Sequence, residues 1–384
     1  MSKGADVVVI GGGIIGSCCA YYLVKEGLKV ALVERGEICG EASKTCQGHL
    51  FLWELPEINI ILAKASKKLY RQISEEIETD IELRNTGSMS IAESPQGLET
   101  LKQTIKELQR AGVECELLDG KEFVKREPSI MPEIAGGGYF PEDGQLNPLL
   151  ATTGIAQAAK KMGAELLTET EVTGIELSAD KSAVKAVMTN KGKIETKRVV
   201  NAAGAWSGQI GEMVGINIPV VPRKGNLMVV ENVPDNFINC KIILASGYLD
   251  SLKGDKKVAV AANVQQTKEG NLLLGSSREF AGFDKEVNPE VISQIAAGCI
   301  KYFPALAGLN TIRSWAGLRP YSPDMLPIIS DSRIEGFYVA SGHEGVGITM
   351  GPITGKLITQ IISGQKTDLP VEQLSVNRFA ENKK

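Results

Sequence analysis

Short apolar runs without alternation recur along the chain, and each predicts a strand buried on both faces of a parallel sheet. Residues 6–10 form the first such run and residues 28–34 the second. Between them, residues 17–25 predict a helix that ends near Gly27. No charge falls between Val7 and Val24, a stretch long enough to suggest a membrane span. Four glycines and the Cys18-Cys19 pair interrupt it, a single basic residue, Lys3, precedes it, and no small-residue cleavage site follows. A strand, a glycine turn and a helix are therefore expected, with no transmembrane segment.

Helical spacing of apolar residues continues over residues 56–78, 97–111 and 149–162. Residues 81–92 alternate and predict a strand, as do residues 164–172. The glycine-rich stretches 135–139 and 141–144 predict turns. Residues 183–189 and 192–196 predict a hairpin through Asn190-Lys191-Gly192. Residues 198–207 predict a buried strand ending in a small-residue turn. Strands near 227–230, 258–262 and 271–275 predict an antiparallel sheet, with a hairpin after Gln265-Gln266-Thr267. Residues 337–355 repeat the strand, glycine turn and helix pattern, the helix reaching about residue 362.

Composition narrows the class. The chain has 384 residues, 43% hydrophobic and 23% charged, which suits a soluble globular protein of two or three domains. A net charge of −4 offers no basic excess for a phosphate backbone, so no nucleic-acid partner is expected. Seven cysteines contain no C-x-x-C pair, and only two histidines are present, so no zinc or iron–sulfur site is expected. Scattered thiols in a large chain predict a reducing, cytoplasmic location.

The candidate chemistry begins at Gly11-Gly12-Gly13-Ile14-Ile15-Gly16, which fits G-x-G-x-x-G between a strand and a helix. Gly11 permits the tight turn, Gly13 lets the backbone approach a pyrophosphate, and Gly16 lets helix and strand pack closely. The helix N-terminus then presents N–H groups to phosphate. Glu34 closes the second strand, where a carboxylate accepts ribose hydroxyls and disfavours NADP. This unit alone leaves NAD and FAD open. Cys39 and Cys46 stand too far apart for a glutathione-reductase-type dithiol and are expected to pack.

A second informative segment runs from Ile312 to Ile329 and contains Gly317-Leu318-Arg319-Pro320. An arginine in an apolar strand needs a partner, and its planar fork matches a carboxylate. A nearby acid such as Asp324 would be a structural partner. Arg313 is expected to be structural, and Trp206 to lie in the core rather than at a cofactor.

Several of these motifs together resemble the D-amino-acid oxidase, glycine oxidase and sarcosine oxidase (DAO) superfamily of FAD oxidoreductases. The loop carries Gly40, Ser43 and Gly48 in the family's pattern after the ribose acid, and Gly342, His343, Gly347 and Ile348 match its Gly-His-x-x-x-Gly-Ile. The resemblance runs from residue 6 to about residue 362. It implies a fold of α/β plus α+β type: a Rossmann-like, glutathione-reductase-like FAD-binding domain with a second, antiparallel-sheet substrate domain. Residues 1–50, 145–222 and 318–384 would form the first, and residues 51–144 and 223–317 the second.

It also implies the cofactor set. Gly11, Gly13, Ile14, Ile15, Gly16, Glu34 and Arg35 come from the first unit, and Ala42, Ser43, Gln47, Gly48 and His49 from the loop. Val172 and Gly204 follow, then Gly342, His343, Glu344, Gly345, Val346, Gly347, Ile348 and Thr349. Lys44 and Thr45 stand where relatives tether flavin through a histidine, so FAD is expected to be non-covalent. Arg319 would hold the substrate carboxylate. His343 is expected to orient its loop, and no catalytic base is named. Gly345 replaces a second arginine of glycine oxidase, and Asn263 falls near a tyrosine of the oxidases, so simple glycine or D-amino-acid substrates are disfavoured.

Pro222-Arg-Lys-Gly225, the segment around Arg319 and Gly342-His-Glu-Gly resemble the flavoprotein subunits of proline, hydroxyproline and opine dehydrogenases and of hydrogen cyanide synthase. The implied activity is FAD-dependent oxidation of the C–N bond of an amino acid, a secondary or cyclic amine such as proline, hydroxyproline, sarcosine or an opine, by hydride transfer to flavin N5, with electrons passed to an acceptor or to partner subunits of a heteromeric dehydrogenase. The alternatives are a free-standing oxidase that releases hydrogen peroxide, and a flavin electron-relay subunit with no substrate of its own.

Overall fold

The computed structural model describes residues 4–53, 56–244 and 258–380. The first apolar runs form β1 (Val7–Ile10) and β2 (Val30–Val33), joined by helix α1 (Ile14–Lys25). They lie at the centre of a six-stranded sheet. The order is Ile328–Asp331, Phe337–Ser341, Val199–Asn201, β1, β2, Glu165–Leu167. All neighbours are parallel except the first pair.

Alternation explains why β1 has no polar face. Val7 and Val9 join the core beneath α1 and the last long helix, Gly347–Ile362, while Val8 and Ile10 join a second core on the opposite face. A three-stranded antiparallel meander, Val172–Leu177, Val184–Thr189 and Gly192–Glu195, supplies residues to that second core. The two central helices touch at glycines. A Cβ on Gly355 would lie 2.5 Å from Cys18 O.

An eight-stranded sheet forms the other half. Its order is Thr311–Tyr321, Val221–Asn232, Asn271–Glu279, Val258–Gln266, Lys241–Leu244, Ser88–Ala92, Gly136–Phe140, Glu116–Asp119. The sheet is mixed rather than purely antiparallel, because Lys241–Leu244 runs parallel to Ser88–Ala92. Helix Pro289–Tyr302 buries Ile295 and Cys299 against Leu272 and Leu274. The boundaries expected at 222–223 and 317–318 fall inside two strands of this sheet.

Four sequence expectations need correction. Residues 81–92 yield only Ser88–Ala92, because the backbone at Glu82 turns through φ 56°. Residues 164–172 split between two sheets, with Glu169 at φ 49° between Glu165–Leu167 and Val172–Leu177. The glycines at 136–138 form a strand, not a turn. A Cβ on Gly137 would meet Ser90 O at 2.3 Å and the Phe123 ring at 2.4 Å, so the glycines there permit close packing. The strands beginning near 227, 258 and 271 are longer than expected, since buried polar residues such as Arg223, Lys224 and Asn226 broke the apolar pattern.

Candidate functional site

A cleft opens at the C-terminal ends of β1, β2, Val199–Asn201 and Phe337–Ser341, where chain crossovers leave β1 in opposite directions. Its first wall is the turn after β1. Gly11 has φ 109°, and a Cβ there would lie 2.4 Å from Ala202 O. A Cβ on Gly16 would lie 1.8 Å from Gly11 O, so helix and turn meet only because both are glycine. The Ile14 N–H donates to Ser43 Oγ at 2.9 Å, so the distant loop caps α1. Glu34 ties the turn to its own strand: Gly12 N donates to Oε2 at 2.7 Å and Gly36 N to Oε1 at 2.8 Å. Each carboxylate oxygen retains a further acceptor site.

Most of the expected cofactor residues line this cleft. Gly11, Gly13, Ile14, Ile15, Glu34, Arg35, Ala42, Ser43, Val172 and Gly204 do so, and Arg319, His343, Glu344, Gly345, Gly347 and Ile348 line it as well. Seven expected residues lie outside it, three of them (Gln47, Gly48 and His49) in an adjoining chamber. Gly16 packs the turn against the helix, Gly342 turns the chain at φ 76° beside Ser322, and Val346 is in the core. Thr349 joins two segments: its hydroxyl accepts from Phe51 N and donates to His49 O, both at 3.2 Å. Trp206 is not core. It is half-buried at the cleft, with Arg35 3.8 Å above its ring.

The cleft continues into a chamber that shares Ala42, Cys46, Leu318, Arg319, Gly345 and Ile348 with it. Gln47, Gly48 and His49 line this chamber rather than the main cleft. Its volume is about 90 Å³. At roughly 10–15 Å³ per water-sized group, that is space on the order of six to nine such groups, the size of a small amino acid.

Arg319 stands at the junction. Its Nη1 donates to Ser277 O at 2.9 Å, and a Cβ on Gly225 would fall 2.1 Å from the same nitrogen. Asp324 is not its partner; that carboxylate is held by Arg378 at 2.7 Å. Arg313 lies on the surface. Glu344 accepts from Arg278 Nε at 3.1 Å and has Arg223 Nη1 at 3.6 Å. Burial would raise the Glu344 carboxyl, but Arg278, Arg319 and Arg223 outweigh it and hold it below the ordinary carboxylate value. A Cβ on Gly345 would lie 3.6 Å from Arg278 Nη2, so the neighbouring strand brings an arginine beside this loop.

The buried histidines are neutral. His343 hydrogen-bonds Thr354 Oγ1 at 2.9 Å, and burial pushes it down to about 3, which suits a loop-orienting residue. His49 pairs with Asp143 at 3.1 Å and burial lowers it to about 4. Cys39 and Cys46 are both free thiols, and burial pushes Cys46 up to about 11, so neither resembles a reactive thiolate. Gln265 and Gln266 face neither substrate nor water. Gln265 donates to Gln47 O at 2.8 Å and Gln266 to Pro234 O at 2.9 Å.

Two chamber cations escaped the sequence reading: Lys241 and Arg278. Both are cations inside mostly apolar or small-residue strands, the same signal that exposed Arg319. Among the described residues no group of acids, histidines and cysteines could hold a metal ion, and no helix is long and apolar enough to cross a membrane.

Residues 6–361 match the family model described as DAO, FAD dependent oxidoreductase. The chain belongs to that family. Curated DAO relatives include hydrogen cyanide synthase subunit HcnC of Pseudomonas aeruginosa, 28% identical, with 99% of this chain and 97% of HcnC covered. Glycine oxidase of the same species is 29% identical over 94% of this chain and 95% of its own length. Among solved structures, L-proline dehydrogenase from P. horikoshii superposes with a TM-score of 0.90 at 30% identity, covering 99% of both chains.

The DAO cofactor fits the residues present. The glycine turn leaves a cradle that side chains would fill, α1 points its N-terminus into the cleft, and Glu34 keeps acceptor sites for ribose. FAD would be held there by this turn, by Glu34, Ser43, Val172 and Gly204, and by the Gly345–Ile348 segment at the N-terminus of Gly347–Ile362.

Proposed function

We propose that this DAO-family chain oxidises the C–N bond of a small amino acid, of the secondary or cyclic amine class that includes proline, hydroxyproline, sarcosine and opines. One observation carries the reading: Arg319, an arginine on a strand of the large sheet, lies where the cofactor cleft meets a chamber of amino-acid size. The names of the relatives point the same way, since they act on glycine and proline.

When bound, FAD supplies the two-electron acceptor for the hydride that leaves the substrate carbon. Arg319 would hold the carboxylate bidentately and so fix which C–H bond faces the cofactor. Ser277 O and Gly225 fix the arginine in turn. The nitrogen loses a proton as the C=N bond forms, and water hydrolyses the imine. The walls Leu227, Ile243 and Ile348 keep bulk water from the reacting carbon. The N-terminus of Gly347–Ile362 lines the cofactor cleft, and its N–H groups would favour negative charge there.

Electrons then pass to an acceptor or a partner subunit, a reading supported by the relative that is itself named a subunit. Peroxide released in air at the rate of amino-acid consumption would assign them to oxygen instead. The deciding experiment is an anaerobic visible spectrum with proline, hydroxyproline, sarcosine, glycine, D-alanine and opines added in turn. Bleaching of the yellow flavin by one of them is expected, and Arg319→Ala should need roughly ten- to hundred-fold more of it. A yellow protein that none of them bleaches overturns the amino-acid reading.

A further inference from the structure

We propose that the second chamber selects a small amino or imino acid with two anionic groups, one held by Arg319 and the other by Lys241. This rests on the amino-acid reading above and narrows it to small dicarboxylic members of the class, such as the smallest opines, over proline and sarcosine.

Lys241 lies on the Lys241–Leu244 strand, lines the chamber and is only 4% exposed. Its Nζ donates to Gln47 Oε1 at 2.7 Å and lies 5.6 Å from the Phe51 ring centroid. Among the described residues no carboxylate stands within ion-pair distance of it, and no aspartate or glutamate lines the chamber. Asp143 lies nearby but is already engaged. It accepts from Leu52 N, Trp53 Nε1 and Ser88 Oγ and pairs with His49 Nε2, all within 3.1 Å. Arg278 differs, because Glu344 meets its charge at 3.1 Å.

A buried cation with only a neutral acceptor is costly to keep. Leu227, Ile243 and Phe51 line the same buried chamber beside its polar groups, and an anion placed there, away from bulk water, interacts strongly with the ammonium. A zwitterion with one carboxylate has no net charge, and Arg319 uses that carboxylate. A second anionic group meets Lys241 instead.

A linked proton follows. Burial pushes Lys241 down to about 7, and Arg319 and Arg278 push it the same way, against the pull of Asp143. His49, the other titratable group lining the chamber on this side, is neutral. An anion on Lys241 favours its charged form, so binding near pH 8 takes up a proton.

The test uses the FAD-loaded protein with thiodiacetate and (methylthio)acetate. The pair differs by one carboxylate, and sulfur replaces the reacting nitrogen, so no oxidation follows binding. Calorimetry in buffers of different ionisation enthalpy reads both affinity and proton uptake. The expected result is about ten-fold or greater preference for thiodiacetate, with proton uptake at pH 8. Lys241→Met loses both, and Lys241→Arg restores the preference without the proton uptake. Equal binding of the two ligands, or a preference that survives in Lys241→Met, overturns the proposal while leaving the amino-acid reading standing. Failure of both ligands to bind, together with an amino-acid panel that bleaches nothing, overturns the reading beneath it as well.

Discussion

At the residue scale, the site is a balance of buried charges. Arg223 and Arg278 share Glu344, and Arg319 adds to the field that keeps that carboxylate ionised. Glu344→Gln removes an anion that Arg223 and Arg278 share. Breaking a buried ion pair costs about 3–5 kcal/mol, so the denaturant midpoint of the variant is expected to fall by that equivalent. Arg319→Ala has a different signature. Hydrogen bonds to charged groups contribute about 1.5–3 kcal/mol, so KM for the oxidisable amino acid should rise roughly ten- to hundred-fold. Flavin reduction followed at varied substrate concentration gives that value. An unchanged KM would show that the carboxylate binds elsewhere. Arg319 could be picked from the sequence because a cation in an apolar strand contradicts its surroundings. Lys241 carries the same signal, but its significance depends on Gln47 and Arg319, which are remote in sequence.

At the element scale, the turn after β1 and helix α1 work as a unit completed from outside. Ser43 caps α1 across the fold, so Ser43→Ala is expected to cost about 1 kcal/mol of stability. It should also weaken FAD retention, read as the flavin-to-protein absorbance ratio after gel filtration. Gly355 belongs to another kind of contact, the crossing of α1 with Gly347–Ile362. Gly355→Val would drive its side chain into the α1 backbone. The expected result is a lowered Tm, with FAD loss following from displacement of that helix's N-terminus. The glycines at 136–138 were misread because glycine marks turns and close contacts alike. Only the Phe123 ring lying on Gly137 separates the two meanings.

At the scale of the whole molecule, the cleft is assembled from segments that span nearly the full chain. Added FAD should therefore raise the Tm of cofactor-depleted protein in a concentration-dependent way, by mass action on the native state. Titration also reaches stability far from the site. Glu127 is buried where Asn239 N donates to it at 2.9 Å, and burial raises its carboxyl from 4.5 to about 7. Its folded pKa exceeds its unfolded one, so its contribution is full below about 4.5 and is lost as pH rises through 7. The loss is on the order of 3 kcal/mol. His49 and His343, held neutral, oppose this trend in acid, so the informative measurement is a difference. The stability of Glu127→Gln relative to the parent, from denaturant unfolding, should rise between pH 5 and pH 8. A flat difference would show that Glu127 ionises normally.

The sequence by itself determined the βαβ unit, its glycine turn and Glu34, the hairpin after Val184 and the closing strand and helix. Each of these is specified locally, by a run of apolar residues or a turn that needs glycine, and local physics is legible in order along the chain. It also marked Arg319, because burying a charge demands a reason wherever it occurs. The tertiary structure alone decided which residues share the second chamber. Gln47, Lys241, Arg278 and Arg319 come from separate segments, and their meaning lies in mutual distance within one low-dielectric space. It alone showed that Asp324 belongs to Arg378, that Gly345 lies beside Arg278, and that residues 164–172 serve two sheets. Pair identity, close approach and strand partnership depend on chain segments far apart in sequence, and no local pattern encodes them.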